Sequence, residues 1–242
     1  MEALKINSGK TRMVAHRGLS GLEKENTVAA FIAAGNRSYY GIETDVHESA
    51  DGKFVIFHDE TTKRVTKGAV DINIEESPYS DYKDLILPDI DGSLSRTDLH
   101  IPLLADYIKV CKKYGKVCVL EVKNPFSEDA LCRMIKEIAA LDYLDRVTFI
   151  SFDWNNCVVL RRMLPTQQIQ WLTSEAIDDE VIQKLVENHL DLDVHYYQLN
   201  REVLSKLHAA GITVNCWTCD NPEKAYDLVN MGVDFITSNI LE

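Results

Sequence analysis

Short apolar runs rich in β-formers alternate with stretches of helical periodicity along almost the whole chain of 242 residues. The runs at 12–16, 41–47, 116–122, 146–152, 168–173, 190–196, 213–218 and 234–239 are five to seven residues long and rich in Val, Ile, Phe, Thr and their like, which predicts strands. Between them, apolar residues three and four apart predict helices over 27–36, 102–114, 127–141, 154–163, 178–187, 200–210 and 222–231. Ser127 before Glu128-Asp129, Asp153 before Trp154, and Asn221-Pro222-Glu223 mark helix starts. Gly211 and Gly232 stand where helices should stop.

Eight strands in βα alternation predict an α/β fold, a TIM-type (β/α)8 barrel forming one domain over 1–242. The last strand runs out at 239 and the sequence ends at Glu242, so an eighth helix is expected to be absent. One unit is irregular. After the second barrel strand, Asp51-Gly52 signals a hairpin turn into a further strand at 53–59. A polar, helix-poor stretch follows from 60 to 100, and a loop that long reads as an insertion over the barrel mouth.

Composition narrows the partners. An apolar fraction of 45% supports a sizeable core, and no run reaches membrane-spanning length, so a soluble protein without stable membrane insertion is expected. The net charge of -12 counts against nucleic acid and anionic membrane surfaces, which require clustered Lys and Arg. A small anionic substrate stays open wherever a cation or a local Arg/Lys pair offsets the repulsion. Of six cysteines, Cys216 and Cys219 form a C-x-x-C, but at the end of a late strand, where two small residues flanking a tryptophan fit better than a redox motif. Reduced thiols and the absence of an apolar leader suggest a cytoplasmic setting. The sequence does not give an oligomeric state.

In a parallel barrel the active site forms at the C-terminal ends of the strands. Those ends carry His16-Arg17, Glu43 with Asp45, His58-Asp59 on the hairpin strand, Glu121 with Lys123, Ser151 with Asp153, Trp217-Thr218 and Thr237-Ser238-Asn239. Strand starts carry fewer charges, and that asymmetry favours an enzyme. Glu43 and Asp45, two apart, share one strand face; with Ile42 and Val46 turned to the helices, both carboxylates point into the barrel. Glu121 can reach the same space. Three hard oxygen donors suit a divalent cation such as Mg²⁺ or Ca²⁺, or else the carboxylates join Arg17 and Lys123 in an internal salt network. His16 and His58 flank this group as candidate general acid and base. Arg17 offers a planar fork for two phosphate oxygens, and Lys123 adds a point charge. By parity His47 could stand at the periphery, and His195 could line the mouth. His100, His189 and His208 look ordinary. Thr27 is a natural helix cap, while Glu25 and Asn26 could hold the first loop.

The segments "AHRG", "ENT", "GIETDV", "DGKFVIFHD", "LEVK" and "CWT", in this order and spacing, resemble the glycerophosphodiester phosphodiesterase family from about Arg12 to Asn239. The resemblance implies a TIM barrel with a small early insertion and metal-dependent hydrolysis of a small-molecule glycerophosphodiester to an alcohol and glycerol 3-phosphate. It implies that Glu43, Asp45 and Glu121 bind the metal, that His16 and His58 are the acid and base, and that Arg17 and Lys123 meet the phosphate. Trp217 would line the glycerol or leaving-group side. Attack by the neighbouring glycerol hydroxyl would give a cyclic phosphate that water opens. Two departures stand out: Lys24 where the family usually has Pro, and Thr237-Ser238-Asn239-Ile240 where it usually has Thr-Asp-x-Pro. A lysophospholipid or phosphoinositide-type substrate would need an apolar lip or a basic rim. A catalytically silent barrel would have lost a ligand or a histidine.

Overall fold

Gly41–Glu48 shows how alternation builds the barrel wall. Ile42 and Val46 are fully buried in the core between sheet and helices, beside Phe31, Tyr107 and Leu120. Glu43, Asp45 and His47 turn to the other face. The computed structural model describes residues 2–242. Its nine strands are β1 (Arg12–Ala15), β2 (Gly41–Glu48), β3 (Phe54–Ile56), β4 (Val117–Val122), β5 (Val147–Ser151), β6 (Ile169–Thr173), β7 (Asp191–His195), β8 (Val214–Trp217) and β9 (Phe235–Ser238). All but β3 are parallel neighbours in chain order, and β1 pairs with both β9 and β2, which closes an eight-stranded barrel. The short β3 lies antiparallel on β2 through the turn at Gly52, whose φ of 73° suits glycine.

Among the described residues seven α-helices cover the outside: α1 (Val28–Gly35), α2 (Leu104–Tyr114), α3 (Glu128–Ala140), α4 (Trp154–Met163), α5 (Asp179–Glu187), α6 (Arg201–Ala209) and α7 (Pro222–Met231). The start signals work as caps. The side chains of Thr27, Ser127, Asp153, Asp178, Asn200 and Asn221 each accept a backbone N–H of the first turn, worth about 1 kcal/mol apiece. Helices predicted to begin at 27, 127, 178 and 200 therefore begin one residue later. Among the described residues no helix follows β9; instead Leu241 forms a parallel bridge with Leu4. Among the described residues no helix is long and apolar enough to cross a membrane.

Residues 60–100 contain a single turn of 3₁₀ helix, Tyr79–Asp81. The segment has its own small core, in which Val65, Ile74, Tyr82, Leu87 and Leu99 pack against Val55 and Phe57. That anchorage sets it on β3, beside one edge of the barrel's C-terminal end. Inside the barrel, Val14, Val117, Val119, Ile150, Leu172 and Phe235 form an apolar cluster. Above and among these, the side chains along the axis become polar.

Candidate active site

The first loop leaves β1 under strain. Arg17 and Asn26 both adopt left-handed backbone, with φ of 53° and 55°, which costs a non-glycine residue energy that the surroundings must supply. Gly18 follows at φ 75°, and a Cβ there would lie 2.7 Å from the backbone of Ala30. This kink aims the Arg17 N–H at Glu43 Oε2, 2.8 Å away. Asn26 clamps the same region: its Nδ2 donates to Asp45 Oδ2 at 2.8 Å, and its Oδ1 accepts from the Thr44 hydroxyl at 2.7 Å. Register pairs Asp45 with Glu121 on β4, which brings the third carboxylate alongside.

One oxygen from each of Glu43, Asp45 and Glu121 lies within 4.8 Å of the others, and all three residues are buried. Arg17 Nε stands 3.5 Å from Asp45 Oδ2, Lys123 Nζ 3.5 Å from Asp45 Oδ1 and 2.7 Å from Glu121 Oε1. Burial pushes the Glu43 carboxyl well above the ordinary carboxylate range, and the charges of Asp45 and Glu121 push it further. Glu121 rises to about 7 through burial and the Asp45 charge. Burial acts on Asp45 too, but Lys123 and Arg17 outweigh it and hold that carboxyl low. Three carboxylates thus share two cations. Glu121 Oε1 meets the Lys123 ammonium at 2.7 Å outside hydrogen-bond geometry and has no other partner. A crowded set of hard oxygen donors with too few cations to balance it could hold a divalent cation.

His16 and His58 stand on either side. The His16 Nδ1–H donates to Asn239 Oδ1 at 2.7 Å, and its Nε2 lies 4.0 Å from Glu43 Oε2. The orientation of Asn239 is fixed from behind, since its Nδ2 donates to Asp220 Oδ2 at 2.6 Å. The His58 Nδ1–H donates to Asp59 Oδ1 at 2.6 Å, leaving Nε2 free. Burial, reinforced by Arg17, lowers His16 to about 4. Burial also lowers His58, with Asp45 opposing and Arg17 and Lys123 assisting. Burial thus favours the neutral form of both imidazoles, with each Nε2 turned away from the Nδ1 hydrogen bond. The Arg17 Nε is buried without a hydrogen-bond acceptor.

These groups line one pocket of about 100 Å³, together with Ile150, Phe152, Leu172, Asp193, Trp217, Thr218 and Thr237. Every site residue read from the sequence except Asp45 lines it directly, and Asp45 lies between Arg17 and Lys123 just behind. A second, more open cleft of about 530 Å³ shares His16 and Arg17 and continues over Ser20, Glu25, Asp220 and Asn239. His47 does not face the pocket: its Nδ1–H donates to Glu75 Oε1 at 2.7 Å, and its Nε2 lies 3.2 Å from the His58 carbonyl. His195 packs edge-on against Trp217, ring centres 5.0 Å apart. Cys216 and Cys219 are both buried free thiols.

Four positions escape sequence reasoning or gain a new setting. Asp220 supplies a carboxylate beside Ser238, taking bonds from the Ser238 hydroxyl and the Asn239 N–H at 2.8 Å each. The β8–α7 loop thus sets a carboxylate against the end of β9, where the resemblance implies one on the strand itself. Glu25 bridges Arg17 at 2.9 Å and Arg64 at 2.6 Å, and Arg64 also donates to Asp59. Arg64 thereby joins the partner of His58 to the partner of Arg17. Asp193, two residues before the end of β7, is the fourth.

The family model described as the glycerophosphoryl diester phosphodiesterase family matches residues 16–241. A glycerophosphodiester phosphodiesterase of Caldanaerobacter subterraneus is 28% identical over 238 residues, with 95% of this chain and 94% of that one covered. Among solved structures, an Oleispira antarctica phosphodiesterase in complex with the product sn-glycerol-3-phosphate shares 28% identity at a TM-score of 0.81, covering 98% of this chain and 96% of that one. A glycerophosphodiester phosphodiesterase from Parabacteroides distasonis shares 27% at 0.80, covering 95% and 93%.

Proposed function

The chain belongs to the glycerophosphoryl diester phosphodiesterase family, and we propose that it hydrolyses small glycerophosphodiesters to an alcohol and glycerol 3-phosphate, using a divalent cation and two histidines. One observation carries this reading: a buried carboxylate triad, an arginine with an unsatisfied Nε, and two imidazoles held at Nδ1 all meet at one pocket. Glu43, Asp45 and Glu121 would hold Mg²⁺ or Ca²⁺. When bound there, the cation supplies Lewis-acid neutralisation of phosphate charge.

The remaining work falls to the chain's own side chains. Arg17 and Lys123 offer donors to the phosphate oxygens, and the unsatisfied Arg17 Nε is one of them. Asn239 and Asp59 take the Nδ1 protons of His16 and His58, so each Nε2 is free to accept or return a proton. One imidazole removes the proton of the attacking hydroxyl at its Nε2; the other takes up a proton from solvent at its Nε2 before the chemical step and delivers it to the leaving alkoxide, and the base then returns its proton to solvent, so protons balance over the turnover. Trp217, with Phe152 at 5.8 Å, forms the apolar side against which the carbon skeleton packs. Residues 60–100 act as a side wall, which Arg64 and Glu75 support through their contacts to the Asp59–Glu25 and His47 groups. The product held by the Oleispira relative supports a small-molecule substrate. Six free cysteines suit a reducing cytoplasm.

The bond that breaks can be read directly. Phosphorus NMR on glycerophosphoethanolamine treated with the Mg²⁺- or Ca²⁺-loaded protein should show glycerol 3-phosphate growing in. A phosphoethanolamine signal, or an unchanged diester, would overturn the assignment.

A further inference from the structure

The pocket within the barrel has a polar floor where TIM barrels usually pack branched apolar side chains. Asp193 on β7 and Thr237 on β9 line it, two residues and one residue deeper than the strand ends at His195 and Ser238. Asp193 is 1% exposed, and its Oδ2 accepts from Asn215 Nδ2 at 3.1 Å. That amide is oriented by its neighbours: Thr237 Oγ1 donates to Asn215 Oδ1 at 3.2 Å, and Nδ2 also reaches Gln170 Oε1 at 3.4 Å. Nothing donates to or accepts from the other carboxyl oxygen, Asp193 Oδ1. A buried polar atom left open beneath a pocket is what a ligand hydroxyl would complete.

Size restricts the ligand. At about 100 Å³ the pocket is small and has room for a three-carbon polyol. The wider cleft beyond His16 and Arg17 leaves the second alcohol an open path. With the phosphate at the residues both spaces share, the enclosed side receives the glycerol half. We propose that Asp193 binds the primary hydroxyl of that glycerol and so selects glycerophosphodiesters over diesters of simpler diols; this rests on the function proposed above. A hydroxyl both donates and accepts, so it can bond Oδ1 whether the carboxyl carries its proton or not.

The test compares glycerophosphocholine with its 1-deoxy analogue, the phosphocholine diester of propane-1,2-diol, which keeps the hydroxyl next to the phosphate-bearing carbon. In the metal-loaded enzyme the ratio of the two kcat/KM values should favour glycerophosphocholine by roughly 100-fold or more, since a site built to bond a hydroxyl rejects an analogue lacking it. Asp193→Leu should bring the ratio within about threefold of unity by losing activity on the hydroxylated substrate alone. Asp193→Ala does the same with less bulk, should the leucine variant fail to fold. Equal losses on both substrates, with the ratio kept, would show a structural role only and overturn the proposal, as would a wild-type enzyme that does not discriminate. Wild type inactive on both would instead remove the functional reading and the proposal with it.

Discussion

Replacing Glu121 by Gln should stabilise the metal-free protein while removing its activity. Without a cation, three buried carboxylates face only Arg17 and Lys123 at close range. Burial and the Asp45 charge lift Glu121 from 4.5 to about 7. A carboxyl whose folded value lies above its unfolded one holds its proton more tightly in the folded state, so stability present at low pH is lost as pH rises through that window. At pH 8 the ionised Glu121 therefore costs about 3 kcal/mol. Gln keeps the shape and an oxygen for Lys123, though the weaker bond to the ammonium gives back about 1 kcal/mol. A net gain of about 2 kcal/mol corresponds to roughly 4–8 °C in Tm for a chain of this size.

The assay is thermal and urea unfolding of wild type and Glu121→Gln in EDTA at several pH values. The stability difference should be small near pH 4.5, where both side chains are neutral, and reach its full size above pH 7. Adding Mg²⁺ or Ca²⁺ at a hundred times Kd should raise wild type by about 2.7 kcal/mol and the variant little. A variant less stable than wild type at pH 8 in EDTA would refute the electrostatic reasoning. Equal stabilisation of both proteins by the cation would refute the ligand assignment.

Other perturbations separate orientation from packing. Asn239→Ala removes the acceptor of the His16 Nδ1 proton; kcat should fall about 10–100-fold with KM nearly unchanged, and an unaltered kcat would count against the assigned tautomer. Burial raises Glu25, but Arg64 and Arg17 bring it down to about 2, so this ion pair contributes stability above pH 4.5 that is lost as pH falls towards 2. Arg64→Ala should accordingly cost about 1 kcal/mol at pH 7 after solvent screening, a loss that shrinks on acidification in a pH-resolved urea series; a pH-independent loss would point to packing instead. Gly18→Ala combines a φ of 75° with a Cβ 2.7 Å from the Ala30 backbone and should cost about 2–4 kcal/mol by thermal unfolding. An unchanged Tm would mean the loop relaxes freely.

Barrel and metal-ligand candidates were legible because both follow from parity and strand ends. Ile42 and Val46 could only face the helices, so Glu43 and Asp45 had to face the axis, and register with β4 added Glu121. The orienting groups were less legible because they depend on distant chain segments. The Glu25–Arg64 pair spans 39 residues, and Asn239 reaches His16 only after the barrel has closed. The change to Ser238-Asn239 looked like a lost carboxylate, since nothing local says that Asp220 would fold back to it. Asp193 did leave a trace: Asp191, Asp193 and His195 alternate with Leu190, Leu192 and Val194, which puts the acids on the axial face. The polar groups along 60–100 masked the apolar residues that give this segment its core.

The most direct measurement is glycerol 3-phosphate release from glycerophosphocholine by wild type and His16→Ala, first in EDTA and then with Mg²⁺ or Ca²⁺ restored. Release should stop in EDTA, return with the cation in wild type, and stay absent in the variant. Release that persists in EDTA, or that survives loss of His16, would contradict a site built on the carboxylate triad and its paired imidazoles.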